Sequence, residues 1–478
     1  MVAGHENTHG KAPVVARDEK ASLWVGHRPG GLLSDFLLNH PWWAGVLASV
    51  SHRRAGRRAG IPTLSGWMGM TVAECRLCAT ALTETFVDLG MSPLCESYLP
   101  AERLDSAETF YPLHVRICPS CLLVQLPAYV SGEEIFSDYA YFSSYSDSWV
   151  AHAKRYADTM TETLGLGPES LVTEVASNDG YLLQHFVARG IPVLGVEPAG
   201  NVAEVARARG IRTEVRFLGA ATGAELAARF GRADLVVANN VYAHVPDLVG
   251  FTAGLAALVQ PTGLVTCEFP HLLRLIERRQ YDTIYHEHYQ YLTLRTAQRA
   301  LATAGLVVAD VEELSSHGGS LRVHARPAGT AGEPSGNVKS VLDAEAEAGL
   351  HTLAGHLGFA EAVFNIKRDL LSFLLTARAE GRRVVGYGAP GKGNTLLNHC
   401  AIRSDLVEYT VDRSPHKQGR FLPGTHIPIH PPERIAQDRP DYVLVLPWNL
   451  RTELSTQLAY VRTWGGRLVF PIPDLEVV

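Results

Sequence analysis

Four cysteines stand in two pairs, Cys75-Arg76-Leu77-Cys78 and Cys118-Pro119-Ser120-Cys121, with 39 residues between them. Each Cys-x-x-Cys turn offers two sulfurs from one tight bend. Zinc favours four tetrahedral thiolates, so the pattern predicts a closed structural site with ligands Cys75, Cys78, Cys118 and Cys121. Four thiolates leave no position open to water or substrate, so the metal is expected to hold the fold and do no chemistry. Cys95, Cys267 and Cys400 read as ordinary buried thiols.

A second concentration of chemistry is the string Tyr281-Asp282-Thr283-Ile284-Tyr285-His286-Glu287-His288-Tyr289. Three consecutive ionisable side chains among aromatics are costly to bury unless they are used. Helical zinc ligation places histidines four apart, and these are two apart. Acid–base work suits the string better, since a histidine oriented by a neighbouring carboxylate titrates near neutrality and can move a proton. The competing reading is a plain surface loop.

Three further patterns fall at the ends of apolar runs. Glu174-Val175-Ala176-Ser177-Asn178-Asp179-Gly180-Tyr181 is a polar turn with one glycine, and Glu197, at the end of the next run, could accept two hydrogen bonds from a ribose diol. The G-x-G-x-x-G of dinucleotide folds is absent there. Gly386-Tyr387-Gly388-Ala389-Pro390-Gly391-Lys392-Gly393-Asn394 has that spacing, and by itself suggests dinucleotide or phosphate binding.

These residues need elements to carry them. Leu171–Ser177, Val193–Pro198, Thr213–Phe217, Ala233–Asn240 and Gly263–Pro270 are short apolar runs alternating with helical stretches, the pattern of a parallel sheet wound with helices. A helix is predicted over Trp149–Leu164. A second α/β series follows an Ala/Glu/Leu-rich helical segment at 330–380, with strands before Gly388 and at Val407–Asp412 and Tyr442–Pro447. The expected architecture is a small zinc-binding module at 68–135, a first α/β domain at 136–328 and a second at 329–478. Residues 1–67, rich in Gly, His, Arg and Trp, read as a disordered extension or as upstream sequence from a misplaced start.

Taken together and in order, the paired cysteine knuckles, Glu174–Tyr181, Glu197-Pro198, Asn239–Asp247, Tyr285-His286-Glu287-His288, His317-Gly318-Gly319-Ser320-Leu321-Arg322 and Gly386–Asn394 resemble the S-adenosylmethionine-dependent C-methyltransferases of deoxysugar biosynthesis. Enzymes of that family act on nucleotide-linked 4-keto-6-deoxyhexoses. The match runs from about residue 72 to the end.

The resemblance implies a class I Rossmann-like methyltransferase domain followed by a second Rossmann-like domain. S-Adenosylmethionine would be held by Glu174, Ser177, Asn178, Asp179, Gly180, Tyr181, Glu197, Pro198 and Asn240. His288 would be the base, Glu287 and His244 supporting polar residues, and Tyr285 and Tyr139 walls of the sugar pocket. Lys392, Asn394, Arg413, His416 and Lys417 would grip the nucleotide diphosphate, thymidine-linked by expectation. A keto group at sugar C4 acidifies the adjacent C–H, so a base can generate an enolate whose carbon attacks the donor methyl. C3 is the expected carbon, with C5 the alternative. The competing classes are a nucleotide-sugar oxidoreductase and a non-enzymatic zinc-ribbon binding module.

Composition narrows the field. Forty-three Lys and Arg against 49 Asp and Glu give a net charge of −6, which disfavours non-specific nucleic-acid binding. Seven cysteines are too few for a disulfide scaffold in so long a chain, and with no apolar run of about 20 residues a cytoplasmic protein, monomeric or homodimeric, is expected.

Overall fold

Strict alternation in Tyr111–Ile117, where Leu113, Val115 and Ile117 are buried and the residues between them are not, makes this segment a strand with one face on a core. The computed structural model describes residues 73–136 and 142–478, so the extension at 1–67 and Tyr139 lie outside the described residues. The strand is β2 of an antiparallel sheet ordered β1 (Glu84–Ser92), β2, β3 (Val124–Gln125) and β9 (Gln290–Tyr291). Its last member comes from far along the chain, two residues after His288. The sheet of a module expected to end at 135 is therefore completed by a strand from the segment that follows His288.

The second sheet comprises β4 (Val172–Val175), β5 (Val193–Val196), β6 (Thr213–Glu214), β7 (Ala233–Val237), β8 (Val259–Pro270), β10 (Leu306–Leu314) and β11 (Ser320–Pro327). Its order is β6-β5-β4-β7-β8-β11-β10, parallel from β6 to β8 and antiparallel over the last two pairings. β4 is buried at every position, as a central parallel strand covered on both faces must be. The predicted helix begins at Asp147, where the Ser146 hydroxyl accepts from Trp149 N, and ends at left-handed Gly165.

The third sheet holds β12 (Val384–Tyr387), β13 (Thr410–Val411), β14 (Ile429–His430), β15 (Tyr442–Val445), β16 (Arg467–Phe470) and β17 (Glu476–Val477), in the order β14-β13-β12-β15-β16-β17. The helix Phe359–Ala379 leads into it. In each parallel sheet the chain reverses direction beside the first strand, at β4/β7 and at β12/β15. Ligand crevices form at the carboxyl ends of such switch points.

One core joins Phe86, Leu113 and Val115 of the first sheet to Phe359, Val363 and Val385 of the last domain. A second joins Cys75, Cys118, Cys121 and Leu123 to Val236, Phe251 and Val265 of the middle sheet. The cysteine module is thus wedged between the two α/β sheets.

Candidate active site

The two knuckles share one turn. Ala79 N donates to Cys75 O at 2.8 Å and Leu122 N to Cys118 O at 2.9 Å, with Ala79 and Leu122 both left-handed. These bends bring the Sγ atoms of Cys75, Cys78, Cys118 and Cys121 within 4.8 Å of one another. Cys75 and Cys121 stand 3.5 Å apart, as do Cys78 and Cys118, too far for disulfides and close enough for one tetrahedral ion. The donor set fits zinc. Cys95, Cys267 and Cys400 are buried thiols away from it.

A cavity of about 910 Å³ is lined by the carboxyl ends of both switch points: Asn178 after β4, Asn239 and Asn240 after β7, Gly391 and Lys392 after β12, and Asn449 after β15. Glu96 from the cysteine module and Tyr285, Glu287 and His288 from the Tyr281–Tyr289 string complete the wall. Ligands held by the two α/β sheets would meet there.

On the β4/β7 side, Glu197 accepts from Asn178 N through one carboxylate oxygen and from Ala199 N through the other, both at 2.8 Å. Burial raises its pKa while these two amides oppose the rise. It lines the cavity with Asn178, Tyr181, Pro198 and Asn240. Asn239 Oδ1 and Asn240 Nδ2 are buried without a hydrogen-bond partner among the described residues, so the wall retains unused polar groups of the kind an adenosyl donor requires.

Glu174, Ser177, Asp179 and Gly180 do not reach the cavity. Glu174 is buried beneath the turn, its pKa raised by burial and by Glu197 and Asp179. Ser177 is wholly buried against Gly195. Asp179 accepts from Ser144 N and Oγ and pairs with Arg209 at 3.4 Å, which ties the preceding loop down. Gly180 serves through its backbone, at φ +80°. These four shape the turn whose other residues face the ligand.

His288 is buried, and its Nδ1 donates to Thr283 O at 2.7 Å. A carbonyl can only accept, so the proton sits on Nδ1 and Nε2 keeps its lone pair. Tyr285 packs on the ring with centroids 4.0 Å apart, and His244 meets it edge-on at 4.6 Å. Burial, the neighbouring His244 and, less, His317 and Lys392 push its pKa well below 6.5, with the Thr283 bond opposing. The orienting group is therefore a main-chain carbonyl, where the sequence suggested a carboxylate titrating the ring near neutrality. Glu287 instead faces Cys95, whose Sγ lies 3.8 Å away, and burial with Glu96 nearby pushes its pKa up to about 8. Burial brings His244 down to about 4.

Among the cavity residues that the sequence did not single out, two share one wall. His317 lines the wall in a left-handed conformation, φ 52°, edge-on to Trp149 at 5.2 Å, and burial lowers its pKa to about 4. Trp149 in turn stacks on His152 and Tyr181. Beneath them Glu268 accepts from Arg322 at 2.7 Å, Ser316 at 2.8 Å and His152 at 3.1 Å; burial opposes ionisation, and these partners still hold it at about 2. The His317–Arg322 motif was the only signal.

On the opposite side Lys392 lines the cavity, bonded to Asn449 Oδ1 at 3.0 Å and set over the Trp448 ring. Asn394 turns away and donates to Cys95 O at 2.5 Å. Lys417 donates to Ala389 O and pairs with Glu96 at 3.6 Å, while Arg413 and His416 are exposed outside the wall. Of the five expected phosphate-gripping residues the cavity receives Lys392 alone, because the helix starting at Gly391 points Asn394 back into the domain contact.

Three family models match the chain: "Putative zinc binding domain" at 75–136, "Methyltransferase domain" at 149–311 and "C-methyltransferase C-terminal domain" at 315–473. The C-methyltransferase NovU of Streptomyces niveus is 35% identical over 407 residues, covering 85% of this chain and 97% of that one. A ubiquinone biosynthesis O-methyltransferase of Methylobacterium sp. (strain 4-46) is 28% identical over 170 residues, covering 32% of this chain and 67% of that one. Among solved structures, the magnesium protoporphyrin IX methyltransferase of Synechocystis PCC 6803 is 17% identical with a TM-score of 0.30, covering 40% of this chain and 90% of that one.

Proposed function

Because this chain belongs to the S-adenosylmethionine-dependent sugar C-methyltransferase family, we propose that it methylates C3 of a thymidine-diphosphate-linked 4-keto-deoxysugar, with His288 as the base. The observation that carries this reading is the His288 tautomer: Nδ1 is committed to the Thr283 carbonyl, which leaves a neutral Nε2 acceptor on a ring that lines the cavity.

His288 takes the proton from the carbon beside the 4-keto group, and the enolate carbon becomes the nucleophile. S-Adenosylmethionine supplies an electrophilic methyl group, so alignment matters more than activation. Glu197, Asn178 and Asn240 hold the donor on the β4/β7 side. Lys392, carried by the glycine loop after β12, holds the diphosphate on the other, and Tyr285 walls the sugar between them. The three domains assigned from the sequence are the units that bring these groups together, and one chain supplies all of them, so the enzyme works as a monomer or a homodimer. Four cysteines converging as a metal-ligand set and three buried thiols, with no disulfide among the described residues, suit a cytoplasmic setting.

Incubation with methyl-labelled S-adenosylmethionine and a thymidine-diphosphate 4-keto sugar tests this directly. Label on C3 is expected. Label on C5 redirects the carbon assignment, and label on oxygen or nitrogen overturns the reading. In deuterated water the parent should exchange the acidic sugar C–H without methyl donor, and His288→Asn should not.

A further inference from the structure

The zinc site and the base are far apart in sequence, yet one hydrogen-bonded chain connects them. Gln125 Nε2 donates to Cys75 Sγ at 3.1 Å, and its Oε1 accepts from Arg76 N at 3.0 Å and from Arg76 Nε at 3.3 Å. Arg76 is the residue between the first two ligands of the metal site. Its Nη1 donates to Gln290 Oε1 at 3.1 Å, its Nη2 to Leu126 O, and its guanidinium lies over the Tyr289 ring at 5.4 Å. Gln290 stands two residues after His288 and donates through Nε2 to Tyr242 O at 2.5 Å.

The backbone repeats the connection. β3 pairs with β9 through Gln125↔Gln290 and Val124↔Tyr291, and Leu126 N donates to Tyr289 O at 2.9 Å. A pairing of two residues is too short to hold its own register, and a one-residue slip would turn every side chain of the string to the opposite face. A planar guanidinium reaching both strands resists such a slip, because its donors diverge at fixed angles that an ammonium cannot reproduce. Nothing in this network touches the cavity, whose lining omits Arg76, Gln125 and Gln290.

We infer that Arg76 is a positioning residue for the methyl transfer: held by Gln125 against the cysteine site, it fixes the strand that follows His288 and so keeps the imidazole aimed into the cavity. The zinc module thereby sets the geometry of the base from outside the active site. This inference rests on His288 being the base.

The test compares Arg76→Met, Arg76→Lys, Gln125→Leu and Gln290→Leu in the full-length protein. Loss of an orienting partner behind a reactive group costs on the order of 10–100-fold, so kcat and the donor-free deuterium exchange should fall together by that factor, with KM for the methyl donor unchanged. Arg76→Lys should recover only part of the loss. In cobalt-substituted protein the thiolate charge-transfer band should shift in Gln125→Leu, which removes a donor to Cys75, and stay fixed in Gln290→Leu. Should Arg76→Met fail to fold or lose metal, Gln290→Leu decides: it leaves the knuckle intact, and exchange at the parent rate with full metal content overturns the inference. Normal exchange in Gln290→Leu with none in His288→Asn overturns this inference alone. Normal exchange in His288→Asn overturns the assignment of the base beneath it.

Discussion

His288 and Thr283 are joined by a 2.7 Å hydrogen bond from the ring Nδ1 to the main-chain carbonyl, inside one short loop of the chain. The bond does two things at once. It selects the tautomer whose Nε2 can accept a proton, and it holds the ring plane while Tyr285 covers one face.

The first consequence concerns pH. Only neutral imidazole accepts a proton, and burial keeps the His288 pKa well below 6.5. The base is therefore competent across the neutral range, and kcat/KM should lose activity through this group only as pH falls beneath 6.5. Replacement by Asn should lower kcat by ~10²–10⁴ across the neutral range, where the parent imidazole is unprotonated. An inflection between pH 6.5 and 8 that vanishes in His288→Asn would contradict the assignment.

Glu287 should report on stability in the opposite sense. Its carboxyl has a pKa of about 8 in the folded protein, raised from 4.5 by burial and by Glu96. Between those values the native state holds a proton that the unfolded chain has released, so this group's contribution is complete below pH 4.5 and is lost as pH rises toward 8. Glu287→Gln removes the effect. The melting temperature of the variant minus that of the parent should grow steadily from pH 4.5 to 8, and a flat difference would refute it.

Glu197 is expected to resist even conservative change. Both carboxylate oxygens accept main-chain amides at 2.8 Å, so the NH₂ group of Glu197→Gln must face one N–H donor. Losing hydrogen bonds to a charged acceptor costs about 1.5–3 kcal/mol. Affinity for S-adenosylmethionine, measured by calorimetry, should fall roughly 10–100-fold in Glu197→Gln and Glu197→Ala. Unchanged affinity would move the donor elsewhere.

Metal analysis should find one zinc per chain, as four converging sulfurs imply. Cys121→Ser should lose it and melt earlier, whereas Cys267→Ala, a buried thiol of the same core that lies outside the four converging sulfurs, should retain it. Because the knuckles lie in the core of the methyltransferase sheet, metal loss should also weaken donor binding.

The turn after β4 makes a paired prediction about glycine. Gly180 and Gly190 are both left-handed, at φ +80° and +71°. A Cβ at 180 would lie 2.2 Å from Ile211 Cδ1, while one at 190 meets open space. Gly190→Ala should cost about 1 kcal/mol of backbone strain, and Gly180→Ala a further 1–3 kcal/mol, roughly, from overpacking, read by urea denaturation. Equal losses would mean that Ile211 moves aside freely.

Local pattern reached some of this and stopped at identifiable places. The runs read as strands at Leu171–Ser177 and Ala233–Asn240 fold as Val172–Val175 and Ala233–Val237, because the chain turns after each strand and brings Asn178, Asn239 and Asn240 to the cavity wall. The antiparallel strands β10 and β11 and the two-residue β9 left no comparable trace. β9 in particular becomes a strand only because β3 is there to pair with it.

The residues themselves dictated what short-range chemistry can dictate. Two tight turns could present four sulfurs, apolar runs of strand length called for wound parallel sheets, and an acidic residue at a strand end offered a diol acceptor. Which polar groups face the ligand was decided only in three dimensions. Asn394 and Lys392 sit two positions apart on one helix, yet one bonds Cys95 and the other lines the cavity, since the direction of each depends on what a distant segment packs against it. His317 reaches the same wall through a left-handed backbone that no spacing rule announces. Turn chemistry is carried by neighbours along the chain; a cavity walled by three sheets is set by contacts between residues hundreds of positions apart, and these exist only once the chain has folded.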